Sequence, residues 1–87
     1  MISMMNSQVG GDLSLEGAGH VELTGAFIGG TADLRGTVLS KGRVAGARFG
    51  QVFFDATTKF LNDEETGPYE GKVETAQDGR GYYFVFS

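Results

Sequence analysis

The chain has 87 residues, of which 40% are hydrophobic, 11% aromatic and 21% charged, which describes one small globular domain and excludes both two domains and a disordered chain. Fifteen glycines against one proline, with no Gly at every third position, exclude collagen and disfavour helix, because an interior Gly costs a helix about 1 kcal/mol. The absence of Cys removes disulfides and thiolate metal sites, and a net charge of −4 argues against nucleic acid as a direct partner.

Residues 1–8 lack a cationic region followed by an apolar one and read as a flexible tail ahead of a single domain over 9–87. No apolar run approaches the ~20 residues that span a bilayer, so a soluble chain, cytoplasmic by default, is expected.

From residue 11 to 57 a degenerate unit recurs, apolar-x-apolar-x-Gly-small. It stands at Leu13-Ser-Leu15-Glu-Gly17-Ala18, Val21-Glu-Leu23-Thr-Gly25-Ala26 and Ala32-Asp-Leu34-Arg-Gly36-Thr37, with weaker copies at Val44-Ala-Gly46-Ala47 and Val52-Phe-Phe54-Asp-Ala56-Thr57. Two-residue alternation marks half-buried strands, and the spacing between copies is that of one short strand and one turn. Such a pattern fits an antiparallel meander or a β-solenoid.

The turns favour the meander. Gly29-Gly30 and Asp78-Gly79 suit two-residue hairpins that need positive φ, and Ser40-Lys41-Gly42 suits a three-residue one. A loop at Asp78-Gly79 sets Val73 opposite Phe84, with Val73, Tyr82, Phe84 and Phe86 on one face and Lys72, Glu74, Tyr83 and Val85 on the other. Gly29-Gly30 likewise sets Phe27 opposite Ala32. Residues 56–68 read as a long acidic loop with a helical turn near 57–61. Aromatic residues concentrate after residue 48, which places the main core near the C-terminus. The expected fold is therefore all-β, a partly open barrel of six or seven short strands, with a short β-solenoid as the alternative.

Phe27-x-Gly29-x-x-Ala32-x-Leu34-x-Gly36 resembles the Gly-rich barrel signature of transferrin-binding lipoproteins, and 32–36 is similar to one pentapeptide-repeat unit. Both likenesses are short, the five-residue period is not sustained, and no function is carried over from either.

Candidate chemistry is sparse. His20 is the sole histidine and has no nucleophile or acid beside it in sequence, so it reads as an ordinary strand-edge residue. The acidic pairs Glu22 with Asp33, and Glu70 with Glu74, project outward in the expected register and imply no cleft. Neither a catalytic residue, a cofactor nor a metal site is assigned. Lys41, Arg43 and Arg48 form a loose basic stretch that reads as a solvated face.

Two functional classes remain. The first is a non-enzymatic interaction or structural module that self-associates or docks in a larger particle. Its interface would be Phe53, Tyr83 and Val85, since the run Tyr82-Tyr83-Phe84-Val85-Phe86 is apolar on both faces. The second is a small acidic inhibitor that covers a basic surface of a partner enzyme, a nucleic-acid-binding one being an example, through Asp63, Glu64, Glu65, Glu70 and Glu74.

Overall fold

The structure is a computed structural model that describes residues 1–62 and 69–87. The described residues are all-β and coil as the β-solenoid. One sheet consists of β1 (Ile2–Ser3), β4 (Gly19–Glu22), β6 (Thr37–Ser40) and β8 (Lys59–Leu61), stacked in that order and all parallel. The other stacks β2 (Gln8–Val9) and β3 (Leu13–Ser14) on β5 (Phe27–Asp33), then β7 (Arg48–Phe53), β10 (Gly81–Phe86) and β9 (Val73–Asp78).

The repeated unit is a corner between the two sheets. At 4–7, 15–18, 23–26, 34–37, 44–47 and 55–58 the fourth N–H donates to the first carbonyl, at 2.9 to 3.3 Å. In all but the last, the third residue is left-handed, at φ 59° for Asn6 and 70–76° for Gly17, Gly25, Gly36 and Gly46. Glycine alone adopts that conformation at little steric cost, so its placement dictates where the chain turns. Corners stack in two columns, and the chain returns to the same column roughly 20 residues later. Backbone bonds tie successive corners, as from Gly17 N to Arg35 O and from Gly25 N to Ala45 O, both 2.9 Å.

Alternating residues between corners point into the coil. Val21, Leu23, Ile28, Leu34, Leu39 and Phe49 are essentially inaccessible, so the core runs through the first three coils. The C-terminal aromatics form an extension of that core. Phe84 meets Phe49, Phe54 and Phe60 edge to face with ring centroids 5.5 to 5.8 Å apart, and Phe86 meets Phe60 at 6.0 Å.

Several details of the meander reading are corrected. Phe27 through Asp33 is one strand, so Phe27 and Ala32 do not face each other across a hairpin. Gly29 and Gly30 have no positive φ; they let the coils approach. A Cβ on Gly30 would lie 2.7 Å from the carbonyl carbon of Gly11, and one on Gly50 would overlap the Gly29 carbonyl. Residues Lys41–Arg43 form a 3-10 turn instead of a hairpin loop. The helical turn near 57–61 is instead corner 55–58 followed by β8, where Thr58 Oγ1 donates to Leu34 O at 2.9 Å. Residues 1–8 carry β1, a corner and the start of β2, and so belong to the first coil.

The C-terminal hairpin does form, with its turn one residue later. Asp78 pairs with Gly81 and Val73 with Phe86 instead of Phe84, because Asp78 Oδ1 accepts from Arg80 N at 2.8 Å and Gly81 takes the left-handed conformation, φ 115°. The shift moves each partner by two residues, so the assignment of side chains to faces is unchanged.

Candidate interaction surfaces

Phe53 and Tyr83 lie at opposite ends of the outer face of the larger sheet, each beneath an arginine. Asp33 and Phe53 are register partners on β5 and β7, and Arg35 occupies the adjoining corner. The Arg35 guanidinium donates through Nε and Nη2 to Asp33 at 3.0 and 2.7 Å, reaches Glu16 at 2.9 Å, and covers the Phe53 ring at 4.9 Å. The side-chain bond from Arg35 holds the Asp33 carboxyl below the usual range. Asp55 is lowered too, chiefly by the Thr57 hydroxyl. Phe53 nevertheless remains 54% exposed.

At the other end Arg48 stacks on Tyr83 at 4.4 Å, pairs with Asp78 at 3.3 Å and donates from Nη1 to Ala47 O at 3.2 Å. Its Nε is buried without a partner. Arg48 and Phe53 are the two ends of β7, about 16 Å apart at about 3.3 Å per residue. Tyr83 and Val85 share the outer face of β10, but Phe53 is not brought beside them. An open groove of about 520 Å³ next to Arg48 is lined by Phe27, Arg80 and glycine backbone.

Of the acidic residues, Glu70 and Glu74 are exposed, and Glu74 pairs with Lys72 at 2.8 Å. Asp63, Glu64 and Glu65 lie outside the described residues. His20 is exposed on β4, beside Val38 of β6. Among the described residues no group of three or more His, Asp or Glu side chains could hold a metal ion. No helix of the described chain is long and apolar enough to cross a membrane.

Sequence reasoning missed the first coil as a surface. β1 pairs with β4, and β2 and β3 pair with β5; among the described residues none of the three has a neighbour on its other side. Met1, Ile2 and Met5 there are 70%, 42% and 52% exposed. The interior residues of the same coil, Met4, Val9 and Leu13, are only partly buried. Two signals were available. Met4-Met5-Asn6-Ser7 is a further copy of the corner unit with Asn in place of Gly, and residues 1–11 contain no Asp, Glu, Lys, Arg or His.

The remaining edges differ. On β8, Tyr69 N donates to Phe60 O at 2.9 Å, and the Tyr69 ring packs on Phe86 at 5.8 Å. The β9 edge carries Glu74 and Asp78, and Lys72 flanks it. Charged or covered edges resist pairing with another chain, whereas uncharged, uncovered ones invite it.

No protein-family model matches this chain, and no curated protein or solved structure is detectably similar to it.

Proposed function

We propose that the chain is a non-enzymatic structural module that assembles with itself. The supporting observation is the uneven treatment of its strand edges. At the C-terminal end they are charged or covered, while the first coil presents backbone edges together with exposed Met1, Ile2 and Met5. An uncovered apolar edge is a template for strand addition, and soluble folds normally guard against it. The Tyr83 and Val85 face is a second available surface, but Arg48 already covers part of Tyr83. The acidic-inhibitor reading has less support, because Glu74 is neutralised by Lys72 and the described acidic residues do not converge.

The test is sedimentation velocity of the wild-type chain over a hundredfold concentration range. The proposal expects a species heavier than 9.2 kDa that dissociates on dilution. A monomer throughout would overturn it.

A further inference from the structure

We infer that the partner of the first coil is a second copy of the same coil, joined edge to edge about a two-fold axis into a closed dimer. The inference rests on the assembly reading above and specifies its surface and symmetry.

Charge selects the partner. With a net charge of −4, two copies repel over most of their surface. Residues 1–11 carry no charged side chain, so this stretch can meet itself without placing like charges opposite one another. The nearest charges point elsewhere or are engaged. Asp12 is exposed, but its Oδ1 accepts from Thr31 N of the next coil at 2.7 Å, and Arg43 donates to Met1 Sδ.

Geometry selects the symmetry. A two-fold axis normal to the sheets carries each sheet into its own counterpart and makes the strands across the junction antiparallel. The fold already continues a parallel stack in this way, where antiparallel β10 adds to β7 with Tyr82 opposite Phe49. A head-to-tail arrangement would instead seat the first coil on β8 and β9. There it would meet the strand covered by Tyr69 and the edge bearing Glu74 and Asp78. Closure then stops at two copies, and no filament grows.

Because the chain has no Cys, single cysteines report the contact without background. Ser3→Cys on β1 and Lys59→Cys on β8 would each be oxidised alone and as an equimolar mixture, then sized without reductant. The expected result is a disulfide-linked dimer from Ser3→Cys alone, with Lys59→Cys remaining monomeric. Ile2→Lys with Met5→Lys in the otherwise wild-type chain should remove the dimer while keeping its β circular dichroism spectrum. Crosslinking only in the mixture, or species growing beyond twice 9.2 kDa, would contradict the two-fold dimer but leave self-assembly standing. The same holds if Tyr83→Glu with Val85→Lys dissolves the assembly and Ile2→Lys with Met5→Lys does not. A wild-type monomer at every concentration would remove both readings.

Discussion

Gly36 sits against Gly17 in the stacked corners: a Cβ at Gly36 would stand 2.9 Å from Gly17 N and 3.0 Å from its Cα. Both residues are left-handed, at φ 70° and 76°, but a Cβ on Gly17 would meet nothing within 4 Å. The same substitution therefore has different consequences at the two positions. Gly17→Ala incurs the left-handed penalty alone, about 1 to 2 kcal/mol. Gly36→Ala adds a clash with backbone that cannot rotate away, and its loss should exceed that of Gly17→Ala by at least about 1 kcal/mol. Urea unfolding of the two variants measures the difference.

Gly50 separates the solenoid from a meander. Its backbone is not left-handed, so Ala is conformationally acceptable there, but the added methyl would overlap the Gly29 carbonyl of the preceding coil. Gly50→Ala should cost about 3 kcal/mol or more, whereas Gly42→Ala, which meets nothing within 4 Å, should change stability by less than about 0.5 kcal/mol. Equal effects at the two sites would argue against stacked coils.

These glycines also mark how far the sequence could be read. Alternation at Leu13/Leu15, Val21/Leu23 and Ala32/Leu34 reports strands directly, because side chains on a strand alternate whatever it pairs with. The Gly of each unit was legible as a turn, but a corner between sheets and a hairpin within one both accept a left-handed Gly. Gly29-Gly30 was ambiguous for a different reason: glycine serves positive φ and close backbone approach equally, and here the approach of Gly10 and Gly11 requires it. The aromatic and apolar face of the last hairpin was legible from parity. Its turn was not, since Asp78-Gly79 and Gly79-Arg80 can both occupy the loop, and the hydrogen bond from Arg80 N to Asp78 selects the second. The first coil went unread because a short stretch without charge, regular alternation or Gly at its corner resembles a tail.

The Arg35 cluster gives a pH signature. Asp33 and Asp55 are both held below their ordinary values, so the folded state binds protons less readily than the unfolded chain. Their contribution is fully present above about pH 4 and is lost as pH falls through the depressed folded values. Arg35→Gln removes the main cause for Asp33 but leaves the Thr57 hydroxyl acting on Asp55. The drop in urea midpoint between pH 7 and pH 2.5 should therefore shrink in Arg35→Gln and shrink further when Thr57→Val is added. An undiminished drop in the double variant would show that neither contact matters to folding.

Arg48 and Arg80 should respond unequally. Arg48 is partly buried, stacked on Tyr83 and paired with Asp78, and its replacement by Met should cost about 1 kcal/mol or more. Arg80 is exposed, and Arg80→Met should lie within about 0.5 kcal/mol of wild type. Thermal unfolding of the two variants at one concentration makes the comparison.

Amide hydrogen exchange as a function of protein concentration tests the assembly account most directly, because it reports which strand edges become paired. The account predicts that protection at Ser3 and Gln8, whose N–H groups face away from β4 and β5 in the parallel ladders, rises with concentration, while the β9 amides between Val73 and Asp78 stay unchanged. First-coil amides that exchange equally fast at all concentrations would contradict it.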